Sequence, residues 1–365
     1  MKQGQSFTDA GSRRKKKRRK RFVRFMLLSV LAAVLLQPSV SGRIRQLLGR
    51  LKENGGMQLY QAEQPDAPEP AVTNPRPKPE TDAAEPNEAL LAIMREAALR
   101  FEESFEFETA ITGCSTSEQL FEAVYAAFSE MMRRDPEIFW ISGVHPSVTL
   151  WGDNAELDQT AKADFIFTAA FPGMQPEEMF REMKQEAARI LETAPKTGSD
   201  YDKALFVHDY LVEHTSYDLQ GSMQDGFQLC HTAYGALVNH SAVCMGYAAA
   251  YQYLLRELGV HCMLAGGTAQ SSLKENFPQL DDSHVWNCVE LDGKYYWVDV
   301  TWDDPLDQNG QEIGGPVRHE YCFVDDNKIF EARTLSEEYA DLPECTDMTL
   351  NDQLMEADRK AAGNS

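Results

Sequence analysis

The sequence predicts an α+β fold in which a helix that carries a cysteine packs against an antiparallel sheet. Residues 242–258 have apolar side chains at helical spacing, which indicates a buried helix. Residues 285–291 and 294–301 have the composition of strands, and the Asp292-Gly293 pair between them is the strongest two-residue hairpin signal. A hydrophobic content of 43% in 365 residues is sufficient for a large core.

Residues 1–42 are predicted to be a signal peptide or a signal anchor. Nine consecutive basic residues at 13–21 precede an apolar run at 25–36, the layout of an export signal. The run is shorter than the roughly 18 apolar residues of a usual membrane span, so cleavage and retention as an anchor both stay open. The basic end is expected to stay in the cytoplasm. We therefore expect an exported protein, anchored on the outer face of the membrane or secreted.

Residues 43–86 are predicted to be a tether, because residues 64–86 contain seven prolines and few apolar side chains. Such a composition favours an extended spacer of about 3.1 Å per residue.

The charge is distributed unevenly along the chain. Residues 1–52 carry 15 basic residues and one acidic residue, and the remaining 313 residues carry 20 basic and 56 acidic residues. The net charge of -22 is therefore +14 in the first segment and -36 in the rest. An acidic folded region is a poor partner for nucleic acid, whose binding depends on Lys and Arg. A cationic or neutral peptide is the expected substrate, and the membrane is the expected partner of the N-terminal segment.

Residues 87–200 are predicted to form an α/β supporting subdomain without chemistry of its own. Apolar spacing and a proline at a first helical turn predict its helices, and short apolar runs predict its strands. The predicted helices span residues 88–103, 116–133 and 176–192, and the predicted strands include residues 147–151 and 165–171.

Cys244 lies in the first turn of the helix predicted at residues 242–258, which Gly259 would terminate in a left-handed conformation. Free N–H groups and the helix dipole at this end favour a thiolate and can also bind an oxyanion. Gly246 would leave room for a substrate backbone. The alternative is a buried structural cysteine.

The predicted hairpin places a histidine beside an aspartate. If Leu291 faces Lys294, Asp299 lies opposite Trp286 and becomes a diagonal neighbour of His284 on the same face, about 7–8 Å away at the backbone. Asp299 could then orient the imidazole while the other ring nitrogen faces a thiol. A core or capping role for His284, and a structural role for Asp299, stay open.

Residues 201–305 resemble the transglutaminase-like superfamily of cysteine enzymes, which have a papain-like core. The resemblance implies that Cys244 is the nucleophile, His284 the general base and then acid, and Asp299 the orienting carboxylate. Similarity to exported bacterial proteins extends the resemblance over residues 87–345. We therefore predict a transglutaminase-like domain at residues 201–345, and a polar, frayed tail at residues 346–365. The matching segments are residues 233–238, 243–248, 284–287 and 297–302, with residues 135–140 and 321–325 outside the core.

Further residues are candidates for binding the substrate. Tyr234 and Asn239 could complete an oxyanion site, and His240 stands where related proteins often have glycine. An aromatic groove could include Tyr296 and Trp302. The substrate-binding candidates are Tyr234, Asn239, Gly246, Tyr247 and Trp286.

No metal or cofactor is expected. His208 and His214 do not share a helix face, and the spacing of Cys230, His231, His240 and Cys244 matches no common zinc pattern. No counterpart of the calcium sites of animal transglutaminases is visible. The seven cysteines leave at least one thiol unpaired in a monomer, and Cys262 and Cys288 are predicted to be core residues.

The predicted function is that of an extracytoplasmic enzyme that transfers acyl groups from peptide or protein amides through a thioester. The same three residues could support hydrolysis, cross-linking or deamidation, and hydrolysis, for example of a cell-wall peptide, is favoured because water is abundant outside the cell. The alternative is a catalytically inactive binding module at the cell surface.

Overall fold

The computed structural model describes residues 87–147 and 156–363, which all belong to one compact unit, Glu69–Ser365. The predicted signal segment, the tether and most of the strand predicted at residues 147–151 lie outside the described residues. None of the helices in the described part of the chain is both long enough and apolar enough to cross a membrane.

Helices and strands alternate in blocks, as in an α+β protein. The helices are α1 (Glu88–Leu99), α2 (Ser117–Arg134), α3 (Pro176–Glu192), α4 (Asp200–His214), α5 (Ala233–Leu237), α6 (Cys244–Glu257), α7 (Val300–Asp303), α8 (Asp326–Ile329) and α9 (Thr349–Gly363). The strands are β1 (Ser104–Glu108), β2 (Ile141–Pro146), β3 (Lys162–Ala169), β4 (Ser216–Tyr217), β5 (Ser241–Ala242), β6 (Cys262–Ala269), β7 (Ser283–Leu291), β8 (Lys294–Val298), β9 (Cys322–Val324) and β10 (Arg333–Leu335).

The N-terminal layer contains an antiparallel sheet of three strands in the order β1-β3-β2. Alternate residues of β1 and β3 are buried, which brings the rings of Phe105 and Phe167 to 5.0 Å between centroids. Helices α1 and α2 belong to the same hydrophobic core. The predicted supporting part is therefore a helical and antiparallel layer.

The main sheet has five strands in the order β10-β6-β7-β8-β9, and all neighbouring strands are antiparallel. The predicted hairpin has the predicted register, with Leu291 opposite Lys294. Asp292 and Gly293 have φ values of 50° and 76°, as a tight hairpin turn with two left-handed residues requires. The Asp-Gly pair thus sets the alignment of β7 and β8.

Strand β8 is shorter than predicted. It ends at Val298, and Asp299 instead caps helix α7, where its carboxylate accepts a hydrogen bond from the N–H of Trp302. The prediction that the strand continues to Thr301 was therefore wrong. An aspartate accepts N-cap hydrogen bonds well, so a helix turn competes with the strand at this point.

Helix α6 forms the centre of the molecule and packs on β7. Most of its residues are buried, and the side-chain amide of Asn287 donates a hydrogen bond to the carbonyl of Ala248 at 3.1 Å. Gly259 follows the helix with a φ of 77°, as predicted.

The N-terminal layer is bound to α6 by charged contacts. Arg256 of α6 donates to Glu137 at 2.7 Å and lies 3.5 Å from Asp135, which also accepts from Arg95 of α1 at 2.8 Å. Both acidic residues are buried, so residues 135 and 137 attach the C-terminal part of α6 to the N-terminal layer. One hydrophobic core includes residues on both sides of position 200, and the predicted boundary there stays a prediction.

The C-terminal segment differs from the frayed tail predicted at residues 346–365. Its helix α9 buries Leu354, and the buried side chain of Asn351 donates to the carbonyls of His319 and Cys322 at 2.7 and 2.9 Å. The polar composition of this segment did not predict its attachment to the fold, because the hydrogen bonds of an asparagine, and not an apolar stripe, make the main contact.

Candidate active site

The cysteine is placed by the start of α6. Cys244 is the first residue of the helix, Val243 is its N-cap, and the Cys244 side chain is half-buried. The first N–H groups of a helix have no intrahelical partner and favour negative charge nearby. The thiol therefore lies where an anionic sulfur and an oxyanion are both stabilised.

The histidine and the aspartate form a short, buried pair. The Nε2 atom of His284 lies 2.7 Å from Oδ2 of Asp299, and both side chains are almost fully buried. The Cys244 thiol lies close enough to His284 to contribute to raising the pKa of the imidazole. Since Nε2 faces Asp299, the other ring nitrogen is the one available to the thiol. The structure thus brings Cys244, His284 and Asp299 together.

Neighbouring charges, opposed by burial, determine the protonation states of His284 and Asp299. Burial disfavours the imidazolium form of His284, but the Asp299 charge and hydrogen bonds from Asp299 and Cys244 outweigh it and raise its pKa to about 9. Burial also disfavours ionised Asp299, but the charges and hydrogen bonds of His284 and Arg333 lower its pKa to about 2. At neutral pH the pair is an imidazolium beside a carboxylate.

Arg333 is a fourth residue at the site. Its Nε and Nη2 atoms donate to Oδ2 of Asp299 at 2.8 and 2.6 Å, and its side chain is completely buried. The guanidinium also lies 3.9 Å from the ring centroid of Trp302 and 4.3 Å from that of Tyr321. Arg333 lies on edge strand β10, far from Asp299 in sequence, and no local pattern marks it as buried.

A cavity of about 380 Å³ opens beside His284. Trp302, Asp304 and Tyr217 line it together with the segments 269–273 and 280–284. A second, more apolar groove of about 400 Å³ is lined by Met245 and Val285, the neighbours in sequence of the cysteine and the histidine. His284 lines the first opening, and its neighbour Val285 lines the second.

Two predicted substrate contacts are buried instead. Tyr247 is 0% exposed, and its hydroxyl oxygen lies 2.7 Å from the carbonyl oxygen of Thr215 and 2.6 Å from the carboxylate of Asp304. Trp286 is 1% exposed and lies under His284, with 5.9 Å between ring centroids. These aromatic residues therefore support the site from within and cannot form a groove for the substrate. Tyr296 is also buried.

Close packing explains why residue 246 is a glycine, which the sequence did not reveal. A Cβ atom at this position would lie 2.3 Å from the carbonyl oxygen of Cys230 and 2.8 Å from the Ala242 side chain. The glycine thus allows the backbone around residue 230 to approach α6. The prediction that it leaves room for substrate was wrong.

The two oxyanion candidates are not equivalent. The hydroxyl of Tyr234 donates to Glu182 at 2.8 Å, so this group is already engaged. The side chain of Asn239 is exposed, and its role stays a prediction. His240 has a φ of 52°, a left-handed conformation that glycine adopts without cost, which explains why glycine is suited to this position.

In the described part of the chain, Cys244 does not belong to a group of side chains that could share a metal ion. The group of side chains there whose ligand atoms lie close enough to share an ion is His208, Asp209 and His319, and it contains no cysteine. Cys262 and Cys288 are buried in β6 and β7, as predicted.

A helix that begins at a cysteine packs on an antiparallel sheet, and the histidine of that sheet is paired with an aspartate at the helix cap that follows strand β8. This arrangement defines a papain-like fold. The family model of the transglutaminase-like superfamily matches residues 187–301, which include Cys244, His284 and Asp299. This segment is a transglutaminase-like domain, and the predicted resemblance is confirmed.

Several known proteins are similar over part of their length. Kyphoscoliosis peptidase of Homo sapiens is 25% identical over 154 residues, which cover 41% of this chain and 22% of that protein. Kyphoscoliosis peptidase of Mus musculus is 26% identical over 111 residues, which cover 30% of this chain and 16% of that protein. The matched region of this chain thus spans less than a quarter of either relative.

Solved structures show more distant similarity. The crystal structure of a TGase has a TM-score of 0.30 and 16% identity, with 44% of each chain covered. The periplasmic domain of TgpA from Pseudomonas aeruginosa has a TM-score of 0.26 and 13% identity, with 44% of this chain and 62% of that chain covered.

Proposed function

We propose that the protein is a cysteine-dependent enzyme that transfers acyl groups from peptide or protein amides through a thioester. The observation that carries this proposal is the contact between His284 and Asp299 at 2.7 Å, with Cys244 on the other side of the imidazole. A buried carboxylate that fixes one ring nitrogen leaves the second to exchange a proton with the thiol.

The reaction follows from these positions. With His284 already carrying a proton as an imidazolium, the sulfur of Cys244 attacks the amide carbonyl as a thiolate and gives a tetrahedral oxyanion beside the first N–H groups of α6. The imidazolium then donates its proton to the leaving amine, which departs and leaves a thioester on the sulfur. Water attacks the thioester, His284 accepts a proton from it, and the thiol and a carboxylic acid are released.

We favour hydrolysis over cross-linking, since the cavity beside His284 is open and water can reach the thioester. A primary amine that entered the same cavity would give a new amide instead. A peptide substrate incubated with and without a primary amine distinguishes these reactions by the product masses. A free acid in both mixtures supports hydrolysis, and an amine adduct as the main product contradicts it.

We also infer that the enzyme acts outside the cytoplasm on a peptide such as that of a cell wall, because a basic segment and a short apolar run precede the proline-rich residues. Protease treatment of intact cells that express the full chain tests this location. Degradation of the folded part in intact cells, or its recovery in the medium, is expected. Recovery of an intact chain only after lysis contradicts the proposal.

Thiol reactivity tests the catalytic assignment directly. Iodoacetamide labelling of the full chain, followed by peptide mass spectrometry across a pH series, gives a rate for each cysteine. We expect Cys244 to react fastest at pH values below about 8.5, the ordinary range of a thiol. His284→Ala should slow Cys244, while His214→Ala, which changes an exposed histidine, should not.

Slow alkylation of Cys244 would contradict the proposed function. If Cys244 reacts no faster than the buried Cys262 in the wild type, the enzyme assignment fails. A surface binding module with an inert cysteine is then the remaining function for this fold.

A further inference from the structure

Five side chains, beginning at the last residue of helix α7, form a chain of alternating carboxylates and imidazoles, here named the histidine–aspartate cluster. Its order is Asp303, His208, Asp209, His319 and Asp358. His208 contacts Asp303 through Nε2 at 3.1 Å and Asp209 through Nδ1 at 2.9 Å. His319 contacts Asp209 through Nε2 at 3.0 Å and Asp358 through Nδ1 at 2.9 Å.

Three ligand atoms converge at the centre of the cluster. Nδ1 of His208, Nε2 of His319 and a carboxylate oxygen of Asp209 all lie within 4.8 Å of one another. Two imidazole nitrogens and one carboxylate oxygen are a ligand set that Zn²⁺ and related divalent ions prefer, with water in a remaining position. Small shifts of these side chains would place all three atoms at bonding distance from one ion.

The outer part of the cluster orients both rings. Asp303 holds the second nitrogen of His208, and Asp358 holds the second nitrogen of His319. Carboxylates in this position fix the tautomer and the direction of metal-binding histidines. Asp303 is itself fixed, since its carboxylate accepts the backbone N–H of Tyr321 at 3.0 Å. The rings are therefore held with one nitrogen each toward Asp209.

The charge of the cluster also favours a cation. With neutral imidazoles, its three carboxylates carry three negative charges, and the ion pairs found for them in the described part of the chain involve only these histidines. His208 and His319 are buried, and the side chains of Asp209 and Asp358 are 36% exposed. Burial disfavours the charged imidazoles, but hydrogen bonds to the carboxylates of the cluster outweigh it and raise the pKa of His208 to about 9 and that of His319 above its ordinary value, so a bound ion would displace the protons that balance this charge. One divalent ion would reduce it to a single negative charge.

We propose that His208, Asp209 and His319 bind one divalent transition-metal ion, represented by Zn²⁺, and that Asp303 and Asp358 orient the two imidazoles. The ion would connect α4 with the segment before β9, and through the outer carboxylates with α7 and α9. Helix α7 follows directly on Asp299. The ion would thus hold in place the short helix that carries the aspartate of the candidate active site.

Metal titration of the full chain with the Cys114→Ala and Cys244→Ala substitutions tests the proposal, because these substitutions remove the two partly exposed thiols of the described residues that would compete for zinc. After treatment with a chelator, we expect the protein to bind about one equivalent of Zn²⁺ in a calorimetric titration. Co²⁺ should give visible ligand-field bands without a thiolate-to-cobalt charge-transfer band. Absence of binding, or a thiolate band, overturns the proposal.

Variants in the same background assign the ligands. Asp358→Asn should weaken binding by about 10- to 100-fold, the usual effect of losing an orienting carboxylate. His319→Ala should weaken it further. His261→Ala is the matched control, because His261 is exposed and lies 3.2 Å from the carboxylate of Glu290 outside the cluster.

Circular dichroism shows whether each variant is folded. If His319→Ala does not fold, Asp358→Asn, which changes a partly exposed carboxylate, still decides the question. Equal Zn²⁺ affinity in Asp358→Asn and in the His261→Ala control overturns the assignment and leaves the cluster as a network of protonated histidines and carboxylates.

Discussion

Asp299 is the acceptor on which the site depends, because a single oxygen, Oδ2, receives hydrogen bonds from both His284 and Arg333. Its other oxygen accepts the N–H of Trp302. A fully buried carboxylate is costly unless it is paired in this way. The guanidinium keeps Asp299 ionised, and the ionised carboxylate keeps His284 protonated.

Arg333→Met should therefore destabilise the protein by about 3–5 kcal/mol, because it removes one of the two cationic partners of the buried Asp299 charge and leaves only His284. The double variant Arg333→Met with Asp299→Asn should recover part of this loss, since removal of both partners leaves no buried charge. Denaturant unfolding of the two single variants and the double variant measures the coupling. Additive losses would show that Arg333 contributes by packing on Trp302 and Tyr321, and not through Asp299.

The pH dependence of activity follows from the raised pKa of His284. The folded-state pKa of about 9 lies above the ordinary 6.5, so the imidazolium persists below about pH 9 and is lost above it. We expect kcat/KM for peptide hydrolysis to fall as the pH rises through about 9. In Asp299→Asn, the carboxylate charge is lost while the Arg333 charge remains, so this fall should move toward neutral pH.

The same shift contributes to stability with a defined sign. A raised pKa of His284 stabilises the fold fully below about pH 6.5, and the contribution disappears as the pH rises through about 9.

The pH dependence of activity can contradict the role of Asp299. A pH–rate profile with the same upper limit in wild type and Asp299→Asn would show that Asp299 does not set the protonation of His284.

At the scale of elements, the position of the thiol depends on how closely α6 approaches the segment around Cys230. Gly246→Ala places a methyl group against the carbonyl oxygen of Cys230, and the helix or that segment must move. We expect a destabilisation of about 1–3 kcal/mol together with slower alkylation of Cys244, because the first turn of α6 is displaced.

Gly259→Ala is the control for this prediction. Gly259 has a φ of 77°, and no atom lies within 4 Å of the position that an alanine methyl group would take there. Alanine at this position therefore costs about 1–2 kcal/mol through the left-handed backbone alone. Alkylation of Cys244 should be unchanged. If both variants slow the alkylation equally, loss of stability explains the effect of Gly246→Ala, and the contact with Cys230 does not position the thiol.

The elements also show which features the sequence could predict. The position of Cys244 in the first turn of α6, the Asp-Gly turn and the register of β7 and β8 are local patterns, and they were predicted correctly, although α6 begins at Cys244 and not at residue 242 as predicted. The pairing of His284 with Asp299 followed from that register, although Asp299 reaches the histidine from a helix cap after the strand has ended. Arg333 and the contacts of Tyr247 depend on packing between segments distant in sequence, which no local pattern contains.

At the scale of the whole molecule, the excess of negative charge extends to the cavity beside the candidate active site. Residues 53–365 carry a net charge of -36, and the cavity beside His284 is lined by Asp281, Asp282 and Asp304 without a lysine or arginine among its lining residues. Burial raises the pKa of Asp304 to about 6, so it too is mostly ionised at pH 7.5. Such a field attracts cationic peptides and repels anionic ones.

We therefore expect peptides with Lys or Arg beside the scissile amide to be hydrolysed with a higher kcat/KM than the same peptides with Glu. The preference should weaken as salt is raised above about 0.1 M, where the screening length is about 10 Å. Asp281→Asn should reduce the preference, since the carboxylate lines the cavity. Asp352→Asn removes the same charge from exposed α9 and should leave the preference unchanged. A preference that is insensitive to salt and to both substitutions would instead indicate that the shape of the two openings selects the substrate.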